Sequence, residues 1–599
     1  MKSETLLPDV LIVNSLTALI SDAGNQFQVS TRYQNLDVTY VKSRINAEGI
    51  GFATKTLPKF GKHFDSALQT GYFSSFPAFK RPGKSVLPCF LSGLTQKIFA
   101  LNGTLLDSPD VDAIRVIRQI SYMFYKLEMD YPKELIDGVI RGFAQTDDEL
   151  GQLDPFHHSH YCYAYSASQV VKQLFTGFDW RDIIPQPGPG VTADKRENFE
   201  RWEPHVKYKG LHSVYPYSQY FYANAKSLLK QLHVYKKLTA LNVGVSKLAL
   251  VPKDSRGPRI ICTEPHEFMW FEQGLGRAMM AHLENHPLTA GQVNFTDQSV
   301  NGALALSSSK TGKFATLDMK DASDRISRIL VEAIFDEVPG LLKALLACTT
   351  DYVRLPDGTC IQKNKYASMG SALCFPVMSV VHFALAVAAI QHATGESTRA
   401  IAKSVFVYGD DLIVKTEHAP LLLEVFPLFG LKFNPTKCCT QGRFRESCGV
   451  DAYNGVDVTP QRVKTHAILR KDPASLKHFL AVFHGLFDRG LWRTAKVFQD
   501  AVLREMGDLP CVTKDSAAVG WIVPRHQVEL ANAANLKWWS TYQSLSLKVR
   551  LIKTRPHASM VGGDPRLLRS LSSTVEASGT LSRRCHTKLV WKRIPLSAL

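Results

Sequence analysis

The segment VFVYGDDLIV, Val405 to Val414, constrains the fold more than any other stretch of this sequence. Two short apolar runs, rich in β-branched residues, flank a tight turn, which is the pattern of an antiparallel hairpin with two acids at its tip. Gly409 permits the turn and lets neighbouring groups approach the backbone closely. Asp410 and Asp411 are harder to explain as structure alone. Adjacent like charges at a partly buried tip repel each other, and burying them unpaired is costly. A divalent cation removes that difficulty, although a lone Gly-Asp-Asp also suits a solvated surface turn.

A second strand, GKFATLDMK (Gly312 to Lys320), carries a third acid, Asp318, roughly ninety residues upstream. That separation leaves room for a helical excursion before the chain returns beside the hairpin, so the three carboxylates are expected to meet. Such a set suits two Mg²⁺ ions, with Mn²⁺ as an alternative, because carboxylate, phosphate and water oxygens are the preferred ligands. One ion would acidify an attacking 3′-hydroxyl and the other would steady a leaving pyrophosphate.

The charge balance points to a polyanionic partner. Among 599 residues, 71 Lys+Arg stand against 54 Asp+Glu, a formal charge of +17. Neutralising phosphates with such a surface releases condensed counterions, though a basic balance also serves solubility. The eleven cysteines show no framework spacing, which suits a reducing cytoplasm. Glu4 and Asp9 interrupt the apolar opening of the chain, and no signal peptide is read there. ALCFPVMSVVHFALAVAAI (Ala372 to Ile390) is as long as a membrane span, but Pro376, His382 and the many small residues favour a buried helix, so no membrane is expected. His157, His158, His160 and Cys162 lack a matching second half for a zinc site and read as a polar or RNA-facing surface. From about residue 470 the sequence reads as helical and basic, ending in SRRCHTKLVWKR with Arg583, Arg584, Lys588, Lys592 and Arg593.

YGDD within FVYGDDLIV, with LDMKDASDRIS (Leu317 to Ser327), resembles motifs C and A of viral RNA-directed RNA polymerases. FRESCG (Phe444 to Gly449), GVDVTP (Gly455 to Pro460), VPKDSRGPRIICTEP (Val251 to Pro265), TDQSVN (Thr296 to Asn301) and SMGSALCFPVMS (Ser368 to Ser379) resemble the replicase β subunits of the Qbeta-like leviviruses. The motifs keep their order across about 210 residues, Val251 to Pro460. The resemblance implies an α+β right hand: residues 1–240 as an N-terminal region with part of the fingers, 241–300 as basic fingers, 301–475 as a palm built on an antiparallel sheet, and 476–599 as a mostly helical thumb with a basic C-terminal region.

Residue by residue, the resemblance implies that Asp318, Asp410 and Asp411 bind the metals, with Asp411 as the weaker ligand. Asp324 would read the ribose 2′-hydroxyl, although a salt bridge to Arg325 or Arg328 would explain it as well. Gly370 would belong to the loop that moves template and nucleotide. No Asn stands on the following helix to share the ribose contact, and Ser379 is a weak substitute. Lys253, Arg256 and Arg259 form a basic cluster suited to clamping a triphosphate. Lys437 matches the lysine that would protonate departing pyrophosphate, with Lys432 as a competitor. Phe444, Arg445 and Glu446 resemble a grip on the primer end, where a stacked aromatic and a phosphate-contacting arginine make sense.

The expected partners are a single-stranded RNA template and product, ribonucleoside triphosphates, host translation elongation factors and a ribosomal protein, in the cytoplasm of an infected bacterium. Two rivals remain at this level. A reverse transcriptase would use the same palm, but Gly409 and Asp324 favour RNA synthesis. A non-enzymatic RNA-packaging protein would need only the basic charge.

Overall fold

The computed structural model describes residues 8–197, 199–468, 472–555, 561–572 and 586–599, so Arg583 and Arg584 lie outside the described residues. Near the N-terminus three helices carry apolar residues at helical spacing: α1 (Pro8–Gln26), α2 (Leu57–Thr70) and α3 (Val111–Tyr122). Leu57, Phe60, Phe64 and Leu68 of α2 and Ile114, Ile117 and Ile120 of α3 are almost fully buried. The α3 helix starts where the Asp110 carboxylate accepts the Ala113 N–H at 3.0 Å. The next two helices, α4 (Lys133–Leu150) and α5 (Tyr161–Phe175), turn towards the middle of the chain.

A basic hairpin follows, β1 (Val245–Asp254) with β2 (Gly257–Thr263), and Phe143 of α4 packs beneath it with Leu248 and Cys262. Next come α6 (His266–Asn285) and α7 (Ser299–Thr311), then β3 (Phe314–Lys320), α8 (Arg328–Phe335) and α9 (Cys374–Thr394). The expected hairpin forms as β4 (Val405–Tyr408) and β5 (Asp411–Lys415), followed by the short β6 (Lys432–Phe433). These strands make one antiparallel sheet in the order β6-β3-β5-β4. Their apolar side chains are buried, and α9 packs on β4 on one side and on α5 on another. That enclosure explains the all-round apolar character of α9, the one described helix long and apolar enough to cross a membrane.

Beyond the sheet, β7 (Phe444–Ser447) pairs with β8 (Val450–Tyr453), and the helices α10 (Pro473–Phe487) and α11 (Trp492–Met506) follow. The C-terminal region then departs from the helical reading. It folds largely as a second antiparallel sheet: β9 (Ala518–Val519), β10 (Lys537–Trp539), β11 (Ser544–Arg555) and β12 (His586–Pro595). The reason is the alternation of Leu547, Val549 and Leu551 between polar residues, a period of two that basic residues had masked. A second difference concerns the first 240 residues. Buried residues from Leu11 to Leu127 share one core with residues 439–521, and α1 lies against α11, so this layer belongs with the α10–α11 helices.

The N-terminal layer is locked to β8 by Arg118 of α3, whose side chain is 2% exposed. Its guanidinium pairs with Asp65 and Asp451, donates to the Val458 carbonyl at 3.2 Å and stacks over the Phe444 ring at 4.7 Å. Burial pushes both carboxyls up, and the Arg118 charge opposes that shift. Removing the cation strands two buried acids. Arg118→Met is therefore expected to cost about 3–5 kcal/mol in chemical denaturation, and adding Asp65→Asn with Asp451→Asn to recover much of it. A triple variant no more stable than Arg118→Met contradicts this account.

Candidate active site

Strand pairing places the three acids together. Asp318 is the register partner of Asp411 across β3 and β5, and Tyr408 is the partner of Asp411 across β4 and β5. Directly opposed residues have Cβ atoms roughly 4.5–5.5 Å apart. Asp410 occupies the two-residue turn, and its carbonyl accepts the Met319 N–H at 3.2 Å, tying the tip to β3. Gly409 has φ +63°, and a Cβ there would overlap the Phe375 ring of α9, so both the turn and the packing exclude a side chain. Just before α7, Gln298 donates to the Tyr408 hydroxyl at 2.9 Å, and from its first turn Asn301 donates to the Asp411 carbonyl at 3.5 Å, which gives TDQSVN its place beside the tip.

The acids are crowded. Burial, followed by the charges of Asp410 and Asp318, pushes the Asp411 carboxyl up to about 7, although its oxygen accepts the Cys448 N–H at 3.0 Å. Asp318 is held by two donors, Asn434 Nδ2 at 3.0 Å and Lys437 Nζ at 3.1 Å. Lys437 also reaches Glu446 at 3.2 Å. Burial works against its charge, but Glu446 and Asp318 outweigh burial and hold the ammonium firmly protonated. Among the described residues no three His, Cys, Asp or Glu side chains already form a metal cage. The donor chemistry nevertheless fits a divalent cation. Asp318 and Asp411 are opposed across the strands with Asp410 in the adjoining turn, the charges of Asp410 and Asp318 bear on Asp411, and an ammonium already meets part of that demand.

Lys432, the competing lysine, is spent on Glu149 at 2.7 Å, and Lys437 is the one at the carboxylates. Asp324 pairs neither with Arg325, which meets Glu149, nor with Arg328, which meets Glu332 and Asp351. Its partner is the buried Lys365, 3.4 Å away, whose ammonium also sits 3.9 Å from Asp147 and 3.5 Å from the Phe143 ring centroid. Ser379 is fully buried and returns its hydroxyl to the Phe375 carbonyl of its own helix at 2.9 Å, which removes it as a ribose contact. Gly370 has φ +119°, and a Cβ there would overlap the Cys262 carbonyl of β2. The adjacent Met369 carbonyl accepts the Cys262 N–H at 2.8 Å, so this loop is fastened to the basic hairpin.

In that hairpin, Lys253 and Arg259 are exposed on neighbouring strands. Partial burial, then Arg259 and Arg256, push the Lys253 ammonium down, while Asp254 and Asp410 oppose them, so the hairpin reaches the electrostatic range of the turn. Arg256 behaves differently: it makes two bonds to Asp254, at 2.7 and 3.0 Å, and stacks on Tyr125 at 4.8 Å.

The structure corrects the reading of Phe444 and Arg445. They are 2% and 1% exposed, and Arg445 donates to the carbonyls of Phe314, Gln441, Gly442 and Phe444. A guanidinium so committed shapes the loop behind β3 and cannot reach a phosphate. Cations missed by the sequence reading stand nearby. Burial first, then Arg256 and Lys437, depress Lys62 of α2, while burial, then Arg462 and Lys464, depress Lys126. Of the missed residues, Asn434 had a local signal, the Asn-Pro turn leading to Lys437. Lys62, Lys126 and Lys365 had none, because their partners are distant in sequence.

A family model described as RNA replicase, beta-chain matches residues 156–479. Among similar proteins, the RNA-directed RNA polymerase subunit beta of Qbeta virus (strain MX1) is 34% identical over 245 residues, 40% of this chain and 39% of that protein. The one from Escherichia virus Qbeta is 35% identical over 231 residues, 39% of this chain and 37% of that protein. The RNA-directed RNA polymerase beta chain of Escherichia phage MS2 is 34% identical over 214 residues, 36% of this chain and 37% of that protein. The chain thus spans about two fifths of the length of the curated relatives it matches.

The turn is held from behind by His382 of α9. It is fully buried and donates Nδ1–H to the Gly409 carbonyl at 2.9 Å, while Nε2 finds no partner among the described residues. Burial pushes the imidazole down to about 4, with the Gly409 carbonyl opposing. A base with a depressed folded pKa contributes stability that is present above its unfolded value, near 6.5, and lost as pH falls towards 4. His382→Asn keeps a donor but does not titrate. Melting curves should therefore show a shallower loss of stability between pH 6.5 and 4 than in wild type, by up to about 3 kcal/mol. Equal acid slopes would contradict the assignment.

Proposed function

Because the chain belongs to the RNA replicase beta-chain family, we propose that it is the polymerising subunit of an RNA-directed RNA polymerase that replicates and transcribes a single-stranded RNA phage genome. The observation that supports this most is the opposition of Asp318 and Asp411 across β3 and β5, with Asp410 at the adjoining turn. Two Mg²⁺ ions, or Mn²⁺ in their place, held by Asp318, Asp410 and Asp411 would acidify the attacking 3′-hydroxyl and steady the leaving pyrophosphate.

The protein's own groups would do the rest by position and charge, which is most of what phosphoryl transfer asks of a protein. Lys253 and Arg259 would hold the incoming triphosphate from the hairpin, and the influence of the Asp410 charge on Lys253 favours that placement. Arg256 would support the hairpin through Asp254 rather than clamp phosphate. Lys437, kept protonated by Glu446 and Asp318, would give its proton to the departing pyrophosphate. Asp324 would accept the ribose 2′-hydroxyl, aimed by Lys365, and the loop at Gly370 would carry template and nucleotide through the cleft.

In this reading the antiparallel sheet is a palm, the basic hairpin belongs to the fingers, and α10 and α11 with the N-terminal layer form the thumb side. The relatives' names mark them as a subunit or chain of a larger polymerase. By extension, host translation elongation factors and a ribosomal protein would complete this one in the bacterial cytoplasm.

Primer-independent incorporation of ribonucleotides by purified chain with Mg²⁺, with and without bacterial extract, tests the function. Asp318→Ala and Asp410→Asn should each lower synthesis by about 10²–10³ or more with RNA binding retained, and synthesis surviving in Asp318→Ala would rule the reading out. Lys365→Met should cost about tenfold in the preference for ribonucleotides over 2′-deoxynucleotides, read as the ratio of kcat/KM values. An unchanged ratio would mean that Lys365 only fills the core.

A further inference from the structure

The C-terminal sheet lies outside the matched residues 156–479 and takes no part in the carboxylate site. Its two faces differ in kind. Leu547 and Val549 of β11 point into a small core with Val512, Val528 and Leu599. The other face follows from the register: Lys537 opposes Ser546, Trp539 opposes Ser544, Lys548 opposes Arg593, and Arg550 opposes Trp591. Directly opposed residues share a face, and so do every second residues along a strand. Lys537, Lys548, Arg550 and Arg593 therefore stand on one face with Trp539 and Trp591, and among the described residues of these strands no acid stands on that stretch of it. Further along the same face, Val519 (opposite Arg550), Ile552 and Leu589 pack against the helical core, and Ser546 is fully buried and accepts from Arg593 at 3.2 Å. Between Ser544 and Arg550, about 20 Å at 3.3 Å per residue, the solvent-facing side chains are therefore Lys537, Lys548 and Trp591, with Trp539, Arg550 and Arg593 half-buried.

A solvated basic strand would account for the lysines but not for large rings left in the open. Trp591 is 54% exposed, with Lys548 Nζ 5.2 Å and Arg550 Cζ 4.6 Å from its centroid. At the opposite end Trp539 meets Tyr542 edge-on at 4.4 Å, and Tyr542 is 63% exposed. Aromatic rings at both ends of a row of cations match what a single-stranded nucleic acid requires. Its bases stack on π-faces, its phosphates are neutralised between them, and little sequence reading is involved.

We propose that this face is a second RNA-binding site, which grips a short single-stranded RNA segment by stacking on Trp591 and Trp539 and by neutralising phosphates with Lys537, Lys548, Arg550 and Arg593. It goes beyond the polymerisation reading and does not depend on it.

The test uses the full chain with EDTA and no nucleotide, so a failure of polymerisation does not affect it. A 4-thiouridine-containing U₁₂ oligonucleotide is cross-linked, and the adducts are mapped by mass spectrometry. Adducts are expected in peptides covering 537–550 and 587–593. Trp591→Leu with Lys548→Gln should weaken U₁₂ binding about tenfold and flatten its salt dependence by about one unit of log–log slope. Trp591→Phe should retain most of the affinity, and short-template synthesis should be unchanged in all of them. If the double variant melts early, Lys548→Gln with Arg593→Gln leaves the buried face intact and reports through the salt slope. Adducts confined to the cleft, or unchanged affinity and slope in folded variants, would overturn the proposal. So would an equal loss of duplex RNA binding (charge without stacking), or an effect seen only on docking of a protein from extract.

Discussion

The central constraint on this structure is electrostatic: one strand pairing forces carboxylates together. Once β3 pairs with β5 in the observed register, Asp318 and Asp411 face each other and Asp410 cannot be far away. No local adjustment removes that repulsion, and the protein meets it with cations. Lys437 supplies one, anchored on its other side by Glu446. Burial first, and then the charges of Asp410 and Asp318, raise the Asp411 carboxyl, and a divalent ion is the complement we propose for the site.

Much of the surrounding architecture serves to hold that pairing. Phe375 and His382 press on the turn from α9, one through the space at Gly409 and the other through its carbonyl. The neighbouring loop is fastened on two sides. Cys262 binds the Met369 carbonyl, and the buried Glu272 of α6 accepts the Ala372 N–H at 3.1 Å. From β7, Arg445 donates to the Phe314 carbonyl at 2.7 Å, at the start of the strand that carries Asp318. Arg118 extends the same frame to the N-terminal helices. Buried polar groups recur at these junctions, where a purely apolar core would fix volume but not register.

How far the sequence could be read depended on the range of each interaction. The hairpin, the strand bearing Asp318 and the buried nature of α9 were visible because period-two alternation and turn chemistry are local, and the family resemblance rested on motifs of the same local kind. The partner of Asp324 was not visible, since Lys365 lies 41 residues away and only the fold brings them together. Arg445 misled for a related reason: a motif gives residue identity but not burial, and four backbone carbonyls claim this guanidinium. The C-terminal sheet was missed because cations on one face hid the alternation of the other. The N-terminal layer could not be assigned to its true neighbours, residues 439–521, because no local pattern records a contact spanning most of the chain.

The most direct measurement is divalent-ion binding to the purified chain without RNA or nucleotide, by Mn²⁺ electron paramagnetic resonance and Mg²⁺ competition. The account predicts Mn²⁺ binding that Mg²⁺ displaces, weakened at least about tenfold in Asp318→Asn, Asp410→Asn and Asp411→Asn alike, because a metal held by shared carboxylates loses affinity with each one removed. Mn²⁺ binding that is unaltered when Asp318 is neutralised would contradict the claim that the β3–β5 pairing builds a metal site.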